Sequence, residues 1–292
     1  MMKKRCCLLL CLILLPLAAL GEEPLSFLDD AEADRVGKII RTYDSPTLKY
    51  SMETFTMSGE TCFLTRIWVK EPARQIRKVT SDWKKNLKFP KTLMMKLPEA
   101  VLAINGSGYV SPQYPEIPDN YPGESEDYFF TPLGSVTVTD GEVFRNLEGV
   151  PYYGLALDED GLQMYTGADN GDVLATNPVQ TWSFYTTCPM LRNNIDLLPE
   201  EWPFADRRAC RTIIGRLDGH TYLILSANDA KKGGITLRRA VEFFQDNFNT
   251  EWVYNLDGGP SSALMYWKKG TKKPHTVMGA GVKDADIMAF TE

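Results

Sequence analysis

Residues 100–104, Ala-Val-Leu-Ala-Ile, form an unbroken apolar run about one strand long, and the run stops at Asn105-Gly106-Ser107-Gly108. A short apolar stretch bounded by turn residues predicts a buried strand. "CFLTRIWV" at 62–69 is rich in β-formers and predicts another. The Lys/Arg-rich segment between them reads as helical, with its charges on a solvated face. Further along, "SVTVTDGEVF" (135–144), "YGLALDEDGLQMY" (153–165) and "IIGRLDGHTYLIL" (213–225) each set Asp-Gly between two apolar-rich arms. That is a strong hairpin signal, and it predicts six strands in antiparallel pairs. One helix stands out. In "TLRRAVEFFQDNF" (236–248), Leu237, Ala240, Val241, Phe244 and Phe248 follow the spacing of one helical face, and Thr236 is placed to cap it. The strand "EWVYNL" comes next and ends at Asp257.

Hairpins on one side and a helix feeding a central strand on the other predict an α+β fold. The expectation is a single domain with a mixed, largely antiparallel β-sheet core, built from hairpins and packed by a few helices. Residues 62–292 would form this domain. Residues 22–61, mixed and polar with a short helix around Leu28–Ile40, read as an N-terminal extension. Residues 1–21 have the plan of a cleaved signal peptide: Lys3, Lys4 and Arg5, an apolar run from Cys6 to Leu20, then Gly21. That run is short for a bilayer span of roughly 20 residues, which leads us to expect an exported chain with no stable membrane span after cleavage.

Charge narrows the partners. Without the three basic residues of the leader, 29 of the 32 Lys and Arg remain against 38 Asp and Glu, a balance of −9. Such a chain lacks the basic face that nucleic-acid phosphates require. Three of the six cysteines lie in the leader, leaving Cys62, Cys188 and Cys210, an odd set that permits three buried thiols or one disulfide, for which Cys188 and Cys210 are the favoured pair. No zinc-ligand spacing occurs, and no cofactor or metal is expected. The sequence does not speak to oligomeric state.

Three polar clusters could carry chemistry. Asp257-Gly258-Gly259-Pro260-Ser261-Ser262 follows a strand. Its glycines admit close approach, and its amides and hydroxyls could form an anion-binding nest, with Pro260 lacking a donor. Alone, the stretch reads more readily as a turn in which Asp257 bonds its own backbone. Asn105 and Gly106 could contact sugar hydroxyls or simply cap a turn. Arg211 and Thr212 follow Arg207, Arg208 and Cys210; a guanidinium pointing inward would grip phosphate, and one pointing outward would be solvated. With only His220 and His275 in the chain, and His220 in a hairpin turn, a Ser-His-acid triad has no support. Carboxylate chemistry such as glycosyl transfer fits better.

Taken in order, these motifs resemble the phosphodiester glycosidase domain family over roughly residues 62–292. "AVLAINGSGY", "GSVTVTDGEVFR", "TWSFYTTCPML", "RTIIGRLDGHTYLIL", "GGITLRRAVEFF" and "YNLDGGPSSALMY" are similar to that family's successive motifs. Three positions depart from it: Pro260 replaces a third glycine, Gly108 stands where an aromatic is usual, and Ala227-Asn228-Asp229-Ala230 replaces a Val-Asp-Gly-Arg segment. The resemblance implies hydrolysis of a sugar 1-phosphodiester at its glycosidic bond. Asp257 and Arg211 would be catalytic; Asn105, Gly106, Thr212, Gly258, Gly259, Ser261 and Ser262 would bind the glycan or phosphosugar substrate. A non-catalytic glycan-binding protein that has kept the pocket is the alternative. A second catalytic carboxylate is not identifiable at this stage.

Overall fold

The structure, a computed structural model, describes residues 35–113, 115–117, 121–184, 188–229, 231–268 and 270–292. The leader and most of the helix expected around Leu28–Ile40 lie outside the described residues. β1 (Lys38–Asp44), β2 (Leu48–Met57) and β3 (Glu60–Val69) form a meander. A short helix, α1 (Pro72–Gln75), leads into β4 (Ile76–Thr80), α2 (Pro90–Met94) and β5 (Ala100–Asn105). Two hairpins follow, β6 (Val136–Thr139) with β7 (Glu142–Asn146), and β8 (Tyr152–Asp158) with β9 (Gly161–Ala168). Next come α3 (Asn170–Ala175), β10 (Gln180–Ser183), β11 (Pro189–Arg192), β12 (Ile195–Asp196) and α4 (Pro203–Asp206). The hairpin β13 (Arg211–Arg216) and β14 (Thr221–Ala227) precedes α5 (Leu237–Asn247) and β15 (Trp252–Asn255). β16 (Ala263–Tyr266), β17 (His275–Gly279) and β18 (Asp286–Thr291) complete the fold.

The strands make three sheets. The first has the order β1-β2-β3-β14-β13-β15-β11-β12, the second β7-β6-β10-β8-β9, and the third β17-β16-β5-β18-β4. All three expected hairpins form, and every pairing between these strands is antiparallel. The expected mixed sheet is therefore corrected. Even the α5 crossover leaves antiparallel neighbours, because β13 lies between β14 and β15. Helices other than α5 run four to six residues, so the architecture is more β-rich than α+β.

Alternation along the central strands explains their continuous apolar runs. Ile213, Leu223, Leu225 and Val253 pack with Leu237, Ala240, Val241 and Phe244 of α5. Their neighbours Ile214, Tyr222, Ile224 and Tyr254 pack into the opposite core with residues of the second and third sheets. The central strands of the first sheet are thus buried on both faces, as their composition demands. Thr236 caps α5 as expected, its hydroxyl accepting from the Arg239 amide at 3.1 Å.

Three expectations give way. Residues 38–57 are structural rather than an extension: β2 pairs with β3 from Leu48↔Val69 to Met57↔Glu60, and Leu48, Tyr50 and Met52 are fully buried. The basic segment before β5 is mainly strand and loop, and Lys78, one of its charges, is enclosed. Cys62, Cys188 and Cys210 are all free and buried. Cys188 precedes β11 and Cys210 precedes β13, and β15 runs between those strands. Two strand spacings amount to about 9.5 Å, beyond the reach of a disulfide. Thiol titration of the denatured, unreduced chain lacking residues 1–21 is expected to find a free thiol at each of these positions; a deficit of two would show that Cys188 and Cys210 are joined.

Candidate active site

The ends of β5 and β15 and the starts of β16 and β18 converge where the first and third sheets adjoin. Asn105 is the joint. Its Nδ2 donates to the Asp257 carbonyl at 2.8 Å, and its Oδ1 accepts from the Ala263 amide at 2.9 Å. The Asp257 amide donates to the Gly106 carbonyl at 3.2 Å. Both ends of the Asn105 side chain are engaged by backbone and the residue is buried, so it joins the two sheets at the site. Gly106 is also structural: a Cβ there would lie 1.8 Å from Asp286 Oδ1.

The turn from Asp257 to Ser262 bonds mostly to itself. Gly258 N–H donates to Asp257 Oδ1 at 2.7 Å, and Gly259 N–H to the Cys210 carbonyl at 2.8 Å. The Ser261 and Ser262 amides donate to the Gly258 and Gly259 carbonyls, each at 3.2 Å. These amides are satisfied internally, so the expected anion nest of Gly258 and Gly259 is corrected to a closed turn. Pro260 fits it: the residue sits in the first turn of a 3-10 helix, Gly259–Ser261, where a fixed φ helps and a missing N–H costs little. Gly259, at φ +56°, takes the left-handed conformation before it.

Carboxyl groups gather around the side chain of Ser261. Asp257 is partly buried, while Ser261, Asp284 and Asp286 are buried. Burial pushes the Asp257 carboxyl up to about 7; the Ser261 hydroxyl and the Gly258 amide oppose the rise, and the nearby Asp286 charge adds to it. Burial, and then the charge of Asp257, raises Asp284 well above the carboxylate range. Ser261 faces Asp284 as well, yet neither Asp284 oxygen has a well-formed hydrogen bond. The result is a carboxyl pair suited to one proton: Asp284 neutral, and Asp257 poised between its two forms near neutrality. Asp284 and Asp286 were not anticipated from the sequence. Their signal was "KDADIMAF", two acids at the mouth of an apolar strand.

Arg211 supplies the positive charge. It is 1% exposed, and its Nη2 donates to the carbonyls of Arg207 at 2.7 Å and Phe204 at 3.3 Å. Nε has no partner, and no carboxylate pairs with this guanidinium among the described residues. Burial lowers its pKa to about 10, which leaves it charged at neutral pH. It borders the aspartate turn, since a methyl group on Gly258 would lie 4.0 Å from Nη1. The ring of Phe204 covers it at 4.7 Å and pairs with Phe184 and Trp202 at 6.1 and 5.0 Å, all three rings partly exposed. Gly108 also finds its reason here, because a Cβ at that position would meet the Phe184 ring at 2.1 Å.

The remaining expected residues are near but less engaged. Thr212 and Ser262 are buried beside Arg211 and Ala263; among the described residues the Thr212 hydroxyl has no hydrogen-bond partner, and the Ser262 hydroxyl faces the Cys210 thiol. His220 bonds the Val69 carbonyl through Nδ1 at 3.1 Å, at the far end of β13 from Arg211, and is a turn residue. Among the described residues, no group of three or more His, Cys, Asp or Glu is arranged to hold a metal. A hollow of about 590 Å³ opens elsewhere, lined in part by Trp83, Asp140 and Phe144, and does not include the carboxyl pair. Among the described residues no helix is long and apolar enough to cross a membrane.

Paired carboxyls, a buried guanidinium and partly exposed aromatic rings thus lie together around the turn that follows β15. The chain belongs to the phosphodiester glycosidase family, whose model matches residues 98–286. It is similar in fold to the catalytic domain of zebrafish N-acetylglucosamine-1-phosphodiester alpha-N-acetylglucosaminidase, auto-inhibited by its pro-peptide, with a TM-score of 0.63, 16% identity and 85% of each chain covered. A hypothetical protein from Synechocystis is similar at a TM-score of 0.54 and 12% identity, over 88% of this chain and 64% of the other. No curated protein matches the sequence.

The raised carboxyls set a direction for stability against pH. An acid whose folded pKa lies above its unfolded value keeps its proton in the fold while the unfolded chain ionises, so stability falls as pH rises between the two. For Asp257 that window runs from the ordinary aspartate value of about 3.9 up to about 7, and for Asp284 it extends higher. Thermal melts are expected to show Tm falling across this window, with Asp284→Asn flattening the fall and raising Tm above neutral pH; an unchanged profile in that variant would contradict the assignment.

Proposed function

We propose that this chain is an exported hydrolase that cleaves the glycosidic bond of a sugar 1-phosphodiester, releasing free sugar and a phosphomonoester. The carrying observation is the Asp257–Ser261–Asp284 cluster beside the buried, unpaired Arg211. Export rests on the leader-like plan of residues 1–21.

In this reading the phosphodiester lies over the turn beside Arg211, whose buried guanidinium offsets through space the charge that develops as phosphate leaves. Phosphate is a good leaving group, so a strong general acid is not required. Asp257, the more accessible carboxyl, faces the anomeric carbon and acts there as nucleophile, as base toward water, or as the counter-charge of an oxocarbenium-like transition state. Asp284 keeps a proton in the buried layer beneath and limits the local negative charge to one. Phe184, Phe204 and Trp202 offer apolar ring faces to the sugar.

The test is release of reducing sugar from a panel of sugar 1-phosphodiesters. Turnover by the wild type is expected, with Asp257→Asn and Arg211→Met each slowing it by about 100-fold or more. Binding of phosphorylated glycans without turnover would favour the glycan-binding alternative; turnover insensitive to both substitutions would move the site elsewhere.

A further inference from the structure

The carboxyl cluster has a third member and a counter-charge, neither of which the proposed reaction uses. Lys78 lies on β4, outside the 98–286 family match, and its side chain is fully enclosed. Nζ stands 3.7 Å from Asp286 Oδ2, too far for a good hydrogen bond, and it has no hydrogen-bond partner. The rings of Trp83 and Trp182 face it at 5.5 and 5.4 Å. Two aromatic faces and one carboxylate hold the ammonium in place of water.

Asp286 turns that charge into geometry. Its Oδ1 accepts from the Ser107 amide at 2.8 Å and fills the space over Gly106, while its carbonyl accepts from the Gly106 amide at 3.2 Å. The Gly106 carbonyl in turn receives the Asp257 amide at 3.2 Å. A continuous set of contacts therefore runs from Lys78 through Asp286 and the 105–107 turn to Asp257. The same Asp286 charge acts on both Asp257 and Asp284.

We propose that Lys78 and Asp286 are positioning residues for the Asp257–Asp284 pair: Lys78 keeps Asp286 ionised where water does not reach, and ionised Asp286 fixes both the turn beneath Asp257 and the charge beside the pair. The inference rests on the reading of that pair as the reacting groups. The electrostatic surroundings are few. Burial lowers the Lys78 ammonium and raises the Asp286 carboxyl, and each opposes the other's shift; Asp140 and Arg145 also act on Lys78, Ser107 and Tyr152 face Asp286, Asp257 faces Asp286 and Ser261, and Asp284 faces Asp257, Asp286 and Ser261. Removing the ammonium leaves a buried carboxylate without its counter-charge, and Asp286 then takes up a proton. The pair loses a like-charged neighbour, so its titration moves to lower pH.

Carboxyl-carbon NMR of isotopically labelled aspartates, assigned with Asp257→Asn and Asp284→Asn, reads this without substrate. The wild type is expected to show Asp286 ionised near neutral pH. Lys78→Met is expected to protonate Asp286 and to lower the Asp257 midpoint by about half a pH unit or more. Asp286→Asn should lower it similarly, and the double variant should add nothing further, because both singles discharge the same group. The proposal is overturned if Asp286 is protonated in the wild type, if either single variant melts earlier while leaving the Asp257 midpoint in place, or if the two shifts add. Where turnover is detected, the acid limb of the kcat profile should move with the NMR midpoint. Absence of turnover in the wild type would sink the proposed reaction and leave the NMR result to decide the role of Lys78.

Discussion

One buried side-chain amide joins the sheets on which the site depends. Asn105 ends β5 in the third sheet, and through its two polar ends it holds the chain leaving β15 in the first sheet and the chain entering β16. A buried amide satisfied at both ends contributes modestly, but one left unsatisfied costs on the order of 1–3 kcal/mol per lost partner. The geometry of Asp257 is therefore set by this joint before any chemistry is considered. An exposed loop would not hold a carboxyl so firmly at a strand end.

Around that joint the fold works against the charges it encloses. Asp284 and Asp286 lie beside a core of apolar residues from β5, β16 and β18, and among the described residues Lys78 is the cation that pairs with Asp286 there. Such groups add little to stability; the cores on either side of the first sheet must offset their desolvation. What the arrangement secures is protonation states unlike those of aspartates in water. Active sites commonly trade stability for such states.

Local pattern revealed much of this architecture. Asp-Gly punctuation gave away the hairpins, because a turn of this type is chosen by its own residues, and the 3.6-residue period of α5 was clear because one face alone is buried. Sheet membership was hidden. Nothing in "KIIRTYD" says that it forms the edge of an eight-stranded sheet, since edge strands are half-exposed and polar. Asp257 and Arg211 were legible because they stand in recognisable motifs. Lys78, Asp284 and Asp286 were not, because their meaning comes from pairing β4 with β18, residues some two hundred positions apart, and a lysine in a basic stretch looks solvated until its neighbours are known. Asn105 is the opposite case: its chemistry suited a ligand, and both of its polar ends bond to backbone.

The meander β1–β3 gives the family match a different meaning. The family model covers residues 98–286, but β14, at the centre of the first sheet, hydrogen-bonds to β3 along its whole length, and β4 is paired to β18 along its own. The stretch that the family model matches therefore does not close its sheets by itself. The matched part carries the carboxyl cluster, and the segment before it closes the sheets on which that cluster stands.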